Sequence, residues 1–188
     1  MEKILIATKN KDKFGIVTKI LDKISNESYE YYSLYDINTL EKNDKEKGNI
    51  EERAYNKANQ IYSCIEENDF KYIIGIDDGI KMKGHLRENV KDYIEDIVNN
   101  KYLSEGEQVE IVRAYCFMDR KGKYKIITTE IPFQYKKYNG KLKIEENSYP
   151  LGNVLSPLNF DKTVAQMDKN ENIQYYLKYS EKIKEFFK

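Results

Sequence analysis

The feature that most constrains the fold is a short apolar run that ends in two acidic residues. Residues 72–76 read Tyr-Ile-Ile-Gly-Ile and lead directly into Asp77, Asp78 and Gly79. A short apolar run that stops at a turn-like sequence is typical of a buried β-strand. We therefore expect a strand in the interior of the fold, with the acidic pair at its carboxyl end.

Strand and helix patterns alternate along the rest of the chain. It opens with a predicted strand at 3–8 and a helix whose apolar residues recur at helical spacing from Phe14 to Ile24. The same spacing predicts further helices at 54–65, 90–97 and 173–186. Strands are predicted at 29–37, 110–118, 124–135 and 138–144, of which the middle two form a hairpin. This alternation predicts one α/β domain over residues 1–188, with a mixed central sheet flanked by helices.

Composition excludes several classes of protein. The 188 residues include 32 basic and 32 acidic side chains, so a formal net charge of zero gives no footprint for nucleic acid or an anionic membrane. No apolar run approaches the ~20 residues that span a bilayer, and residues 1–13 lack the apolar core of a signal peptide. We expect a cytoplasmic protein without nucleic-acid or membrane partners. Cys64 and Cys116 are expected to be reduced, buried thiols.

Polar residues follow the opening strand at the point where the first helix begins. Free backbone N–H groups and the helix dipole attract phosphate at such a junction. Thr8 and Asn10 can donate hydrogen bonds to phosphate oxygens, and Lys13 adds a positive charge one turn into the helix. An ordinary capped helix with solvated lysines fits the same residues, because the pattern is not a Walker A loop. Both interpretations stay open at this point.

Acidic residues form two further clusters. Asp77 and Asp78 stand where ligands of open α/β sheets gather, and adjacent acids are unfavourable there unless a cation or a turn satisfies them. Hard carboxylate oxygens suit Mg²⁺, whereas a plain Asp-Asp-Gly turn is the alternative. Glu46, Glu51 and Glu52 lie around the start of the second helix, where acids also favour a helix N-terminus.

Taken together, the order and spacing of five segments resemble the inosine-triphosphatase (Ham1-like) family. The segments are Ile4 to Lys13 (T-x-N-x-x-K in the family), Glu46-Lys-Gly-Asn-Ile-Glu-Glu-Arg-Ala-Tyr-Asn-Lys-Ala58 (E-T-G-x-T-F-E-E-N-A-x-x-K-A), Ile76 to Ile80 (A-D-D-S-G-L), Arg113 to Phe117 (R-A-x-F-x-C) and Pro157 to Met167 (P-x-G-Y-x-K-T-x-A-E-M). The resemblance runs from residue 3 to near the end of the chain. It implies an inosine-triphosphatase (Ham1/Maf)-like fold.

The resemblance also implies a reaction and a set of site residues. Family members hydrolyse a nucleoside triphosphate to the monophosphate and pyrophosphate, use Mg²⁺, and are usually homodimers, here through the hairpin at 115–135. Carried across, the residues that would hold the triphosphate are Thr8, Asn10, Lys13, Lys57 and Lys162. Those that would hold Mg²⁺ are Glu46 and one or both of Asp77 and Asp78. Asp78 would orient or deprotonate the attacking water, and Lys13 would assist catalysis.

The end that reads the base departs from the family pattern. The serine expected after the acidic pair is missing, since Gly79 follows Asp78, and the S-H-R motif of the last helix is absent. Tyr175, Tyr176 and Tyr179 in this region fit either packing or stacking on a base. We therefore expect altered or unknown base specificity. The alternatives are a catalytically weak nucleotide-binding or regulatory protein on the same fold, or an unrelated α/β domain with fortuitous matches.

Overall fold

The computed structural model describes residues 1–37, 47–65, 69–137 and 150–187. Its strands are β1 (Glu2–Ala7), β2 (Tyr29–Ser33), β3 (Phe70–Met82), β4 (His85–Arg87), β5 (Gln108–Asp119), β6 (Tyr124–Tyr135) and β7 (Leu155–Pro157). Its α-helices are α1 (Lys11–Ile24), α2 (Ile50–Cys64), α3 (Ile94–Val98), α4 (Lys169–Leu177) and α5 (Glu181–Phe186). Short 3₁₀ helices lie at Val90–Asp92, Pro150–Asn153 and Val164–Gln166.

The described strands form one mixed sheet. Their order is β2-β1-β3-β5-β6-β7, and β4 pairs with β3. β1 is parallel to both of its neighbours, with Leu5 opposite Tyr32 on one side and Ile73 on the other. The β3–β4 and β6–β7 pairs are antiparallel. The expected fold class, a mixed central sheet flanked by helices, is confirmed.

Contacts group the chain into two compact units. The first consists of Met1–Asp77, Arg113–Thr129 and Ser180–Lys188, and the second of Asp78–Val112 and Glu130–Tyr179. Strands β3, β5 and β6 each contribute residues to both. The single-domain organisation expected from the sequence stays a prediction.

The core of the first unit lies on one face of β1 and β3. Alternate residues of a strand point to opposite faces, so Ile4 and Ile6 share a face, as do Ile74 and Ile76. They join residues from β5, α1 and α5 in a single cluster: Ile4, Ile6, Val17, Leu21, Ile74, Ile76, Tyr115, Phe117 and Ile183. Val17 and Leu21 are the residues of α1 in this cluster, which explains the helical spacing of its apolar side chains.

Helix α2 packs on the other face of β3, and Gly75 allows it to come close. A Cβ atom on Gly75 would lie 1.9 Å from the carbonyl oxygen of Ala54 and 2.8 Å from the amide nitrogen of Ala58. Asp77 is two residues along the strand from Gly75 and points to the same face. The close contact of α2 with β3 thus also brings the helix over Asp77.

Aromatic residues of β6 and α4 build the interior of the second unit. The ring of Phe133 lies 5.4 Å from that of Tyr175 and 6.3 Å from that of Tyr176, centroid to centroid. The Tyr175 hydroxyl donates to the Pro132 carbonyl oxygen and accepts from the Leu158 N–H at 3.2 Å. Both tyrosines are buried, which decides for packing over base stacking.

Two of the expected elements differ in extent in the structure. The strand expected at 29–37 ends at Ser33, where the Asp36 carboxylate accepts from both the backbone N–H and the hydroxyl of Ser33 and forms a turn. The helix expected at 90–97 is a 3₁₀ turn followed by the short α3. The strand expected at 138–144 lies outside the described residues.

The helix expected at the C-terminus is two helices, α4 and α5. Tyr176 and Ile183 are seven residues apart and fit one helical face, so the apolar spacing does not reveal the break. Tyr176 packs against Phe133 in the second unit, whereas Ile183 packs into the core of the first. The chain therefore breaks its helix between two separate cores.

One of the two thiols is not where it was expected. Cys116 is buried in β5, as predicted, but Cys64 is exposed, so that prediction was wrong. Cys64 is the last residue of α2, beyond Ala54, Ala58 and Ile61, which carry the buried face of the helix.

None of the described helices is both long and apolar enough to cross a membrane.

Candidate functional site

Two of the predicted clusters meet where β1 ends beside β3. Ala7, the last residue of β1, pairs in parallel with Gly75. The chain that leaves β1 at Thr8 therefore starts its loop next to the segment of β3 that carries Asp77. All of these residues belong to the first unit. The phosphate-loop candidate and one of the paired acids thus share one edge of the sheet.

The acidic pair lies inside a strand rather than in a turn. β3 continues through Asp77, Asp78 and Gly79 to Met82. The turn comes later, at Lys83 and Gly84, whose positive φ angles of 51° and 79° suit a two-residue hairpin between β3 and β4. The expectation that the strand ends before the acids was wrong, because Ile80 and Met82 continue its buried pattern.

The residues from Thr8 to Lys13 form a capped helix start. The Asn10 side-chain Oδ1 accepts from the Lys13 N–H at 2.8 Å, and the Thr8 hydroxyl oxygen accepts from the Asn10 N–H at 3.1 Å. The capping interpretation is therefore confirmed. The two hydrogen bonds also fix the orientation of both side chains. They do not use the Asn10 Nδ2 or the Thr8 hydroxyl proton, so these groups can donate to another ligand.

A capping box also fixes the start of α2. The Asn49 Oδ1 accepts from the Glu52 N–H at 2.8 Å, and the Glu52 carboxylate accepts from the Asn49 N–H at 3.0 Å. Gly48 has a φ of 93°, and a Cβ atom there would lie 2.2 Å from the Glu52 Oε2. Glu51 accepts a hydrogen bond from the Thr128 hydroxyl at 3.0 Å. Both helix-opening acids thus have structural roles, as expected.

Asp77 is held between two cations from α2. The Arg53 Nε donates to its Oδ2, and the Lys57 Nζ lies 2.7 Å from its Oδ1. The side chains of Arg53 and Asp77 expose only 3% and 8% of their surface. A further Arg53 nitrogen, Nη1, donates to the Gly48 carbonyl oxygen at 3.0 Å. Both carboxylate oxygens of Asp77 are therefore engaged in ion pairs.

The other proposed metal ligands have different surroundings. Asp78 is half-buried and, as the residue next to Asp77 in β3, points to the opposite face of the strand. Glu46 lies outside the described residues. Within the described ranges, no group of three or more His, Cys, Asp or Glu side chains is placed to hold a metal ion.

Lys162, the remaining predicted contact, lies in the second unit. Its Nζ is 2.9 Å and 3.3 Å from the two carboxylate oxygens of Glu171. Glu171 also closes the capping box of α4 with Asp168. The side-chain hydrogen bonds that the structure gives Lys162 thus belong to the start of α4.

Arg53 is the site residue that the sequence interpretation missed. The sequence contains a signal for this role of Arg53: Arg53 and Lys57 are four residues apart and therefore share a face of α2. They alternate with Ala54 and Ala58, which pack on Gly75. An arginine inside the sheet-facing stripe of a helix requires a buried partner, and Asp77 is that partner.

Comparisons with known proteins give a match in structure and none in sequence. No protein-family model matches the chain, and no curated protein matches it. The Ham1 protein of Staphylococcus aureus superposes with a TM-score of 0.64 at 16% identity, over 98% of this chain and 97% of that one. A HAM1 protein of Coxiella burnetii gives 0.61 at 13% identity, over 99% and 98%.

A third solved structure agrees with these two. A nucleoside-triphosphatase, or dITP/XTP pyrophosphatase, of Mycobacterium abscessus matches with a TM-score of 0.57 at 14% identity, over 95% of each chain. At such identities the likeness shows the fold alone. The coverage shows that this likeness extends over nearly the whole chain. This chain therefore has the fold of the Ham1 proteins, the family that its sequence motifs resemble.

Proposed function

We propose that this protein is a nucleoside-triphosphate pyrophosphatase, which hydrolyses a triphosphate to the monophosphate and pyrophosphate. The observation that carries the proposal is that, in a Ham1-like fold, the Thr8–Lys13 loop begins beside the segment of β3 that carries Asp77, whose carboxylate pairs with Lys57. The Mycobacterium abscessus structure is described as a dITP/XTP pyrophosphatase, which supports the same class of reaction here.

The polyphosphate is proposed to lie over the N-terminus of α1. Backbone N–H groups of a first helical turn have no partner within the helix and attract anions. The Thr8 hydroxyl and the Asn10 Nδ2 would add hydrogen bonds, and the ammonium groups of Lys13 and Lys57 would offset the negative charge. Lys57 suits this role because its ion pair with Asp77 holds it at the edge where the loop begins.

The chemical step is proposed to occur at the α-phosphorus. Water attacks this atom, the bond from it to the α–β bridging oxygen breaks, and pyrophosphate leaves with that oxygen. Asp78 is the proposed base that accepts one proton of the water, and Lys13 is proposed to stabilise the charge on the phosphoryl oxygens. Phosphoryl transfer depends on such positioning and charge stabilisation more than on covalent participation.

Magnesium is the proposed cofactor, and it would neutralise charge on the phosphate oxygens when bound. Mg²⁺ binds nucleotide sites through one or two carboxylates together with the phosphates. We propose Glu46 and Asp78 as those carboxylates. Asp77 does not fit direct coordination in the observed arrangement, because each of its oxygens already meets a cation.

The finer assignments are proposals as well. We propose an altered base specificity, a cytoplasmic location and a homodimer. Tyr115 and Tyr135, at the two ends of the expected dimer hairpin, are buried in the protomer. A dimer contact through this hairpin would use exposed residues such as Tyr124, and analytical ultracentrifugation would show whether a dimer forms.

The reaction is tested with purified protein, Mg²⁺ and a panel of canonical and modified triphosphates, with pyrophosphate as the measured product. We expect release of pyrophosphate by the wild-type protein and its loss in Asp78→Asn and Lys13→Ala. Lys19→Ala is the matched control, since Lys19 is an exposed lysine of the same helix, and it should keep the wild-type rate.

The other outcomes separate the alternatives. Triphosphate binding without product would identify a nucleotide-binding or regulatory protein on this fold. Orthophosphate as the sole primary product would identify a different phosphohydrolase. Neither result is compatible with the proposed reaction.

A further inference from the structure

Arg53 occupies a position that no part of the proposed reaction uses. It is buried on α2, and its guanidinium contacts an acid that the family resemblance assigns to the metal. The Ham1-family pattern has E-E-N-A where this chain has Glu-Glu-Arg-Ala, so the residue aligned with Arg53 is a neutral asparagine. An arginine therefore places a permanent positive charge where the family pattern has none.

We propose that Arg53 is a positioning residue that keeps Asp77 as the fixed counter-ion of Lys57 and so prevents Asp77 from binding the metal. This inference rests on the proposed function, because it concerns how the same edge would hold a metal-bound polyphosphate. Under this proposal Asp77 is not a ligand of the metal. Its role is to hold the Lys57 ammonium, which contacts the phosphates.

The guanidinium is fixed at two places. Its Nε donates to Asp77, and its Nη1 donates to the Gly48 carbonyl oxygen at 3.0 Å. Gly48 is in turn constrained, since its φ of 93° and the nearby Glu52 carboxylate leave no room for a side chain. Because the loop before α2 thus holds one end of the guanidinium, Arg53 cannot turn away from Asp77 without breaking the partly buried hydrogen bond to Gly48.

The second oxygen of Asp77 is also in use. The Lys57 Nζ lies 2.7 Å from Oδ1 and 3.4 Å from the Ile76 carbonyl oxygen. A Mg²⁺ ion requires its ligands at about 2.0–2.1 Å in near-octahedral geometry. A metal on Oδ2 would therefore stand beside the buried Arg53 or displace it, and a metal on Oδ1 would do the same to the half-buried Lys57. Both are unfavourable.

Metal binding in the absence of nucleotide tests this directly. The probe is Mn²⁺, whose free concentration is followed by electron paramagnetic resonance while it is titrated into the full-length protein. The variants are Asp77→Asn, Arg53→Asn, Arg53→Lys and the double variant Arg53→Asn/Asp77→Asn. Circular dichroism of each variant gives the folded fraction, so that only folded protein enters the comparison.

The expected pattern has four parts. Asp77→Asn binds Mn²⁺ as the wild type does, whether that binding is weak or undetectable. Arg53→Asn binds Mn²⁺ about tenfold more tightly, the size of effect usual for residues that contact a metal ligand. The double variant loses this gain, and Arg53→Lys, which keeps the cation, behaves like the wild type. A purely structural role of Arg53 would not raise metal affinity.

Two results would overturn the inference. One is an Asp77→Asn variant that binds Mn²⁺ about tenfold more weakly than the wild type, since Asp77 would then be a ligand. The other is an Arg53→Asn variant with unchanged or weaker binding. Because no turnover is measured, failure of the pyrophosphatase proposal would leave this result unaffected, and the reverse also holds.

Discussion

Single residues at this edge serve the fold and the proposed ligand site with different atoms. Asn10 uses its Oδ1 to cap α1, which leaves its Nδ2 for a phosphate oxygen. Thr8 accepts a hydrogen bond from the Asn10 N–H and keeps its own proton to donate. Asp77, by contrast, has both oxygens in ion pairs. Capping and the proposed phosphate contact of Asn10 are therefore separable by substitution, because each uses a different atom of the side chain.

Asn10→Asp should separate capping from binding. Aspartate caps a helix about as well as asparagine, so the free energy of unfolding should change by less than about 0.5 kcal/mol. The substitution removes the amide donor and adds a negative charge, so the triphosphate dissociation constant should rise at least about tenfold. Calorimetric titration and thermal unfolding measure the two effects. Asn26→Asp, at an exposed position of a turn, makes the same charge change and should alter neither.

One result for Asn10→Asp would contradict the proposed phosphate contact. If the variant binds triphosphate as tightly as the wild type, the side chain only caps α1 and the phosphate role of this loop is wrong. Asn10→Ala should impair both properties, with a loss of about 1 kcal/mol in stability from the missing cap.

The two cysteines should differ sharply in reactivity. Burial raises the pKa of the Cys116 thiol to about 12, whereas Cys64 is exposed. Since the thiolate is the reactive form, a raised pKa keeps Cys116 protonated and slow at mildly alkaline pH. A chromogenic disulfide reagent should modify one thiol in the native protein and both after denaturation. Cys64→Ser should remove the native reaction, and a rapid native reaction in that variant would contradict the structure.

At the scale of elements, the position of α2 decides what can happen at Asp77. The capping box of Asn49 and Glu52 fixes where the helix starts, and Gly75 fixes how closely it lies on β3. Arg53 and Lys57 reach Asp77 only because the helix is this close. A change at Gly75 should therefore affect both stability and the site, although Gly75 contacts no ligand.

Gly75→Ala should destabilise the protein by about 1–3 kcal/mol, the usual effect of overpacking a core. The added Cβ would overlap the backbone of α2, which must shift. Gly15→Ala is the matched control, because the same methyl group there meets no atom within 4 Å and alanine favours a helix, so stability should rise by about 0.5–1 kcal/mol. Chemical denaturation measures both. Equal effects of the two substitutions would contradict the packing described for α2.

The sequence predicts these elements unevenly, and the reasons are physical. β1 and α1 follow from local signals, a short apolar run and a 3.6-residue spacing. The path of β3 through Asp77 was missed, because an acidic pair followed by glycine is also a turn sequence. The two cations that compensate Asp77, Arg53 and Lys57, come from a separate helix. The break between α4 and α5 was missed because Tyr176 and Ile183 keep helical spacing while they pack into different cores.

For the whole molecule, the likeness to Ham1 proteins covers nearly all of the chain at 13–16% identity. A fold can persist at such identity because cores tolerate extensive substitution when volume and pattern are kept. Specific side chains are less tolerant, and the positions at which this sequence departs from the Ham1 motifs are of this kind: Arg53 at the acidic edge, and the missing serine and S-H-R motif.

The most direct test of this account is the fate of the water oxygen. The reaction is run in water enriched in heavy oxygen with a triphosphate that the protein turns over, and the products are analysed by mass spectrometry. Attack at the α-phosphorus predicts the label in the nucleoside monophosphate and none in pyrophosphate. Label in pyrophosphate or orthophosphate, or no monophosphate from any triphosphate tried, would contradict it.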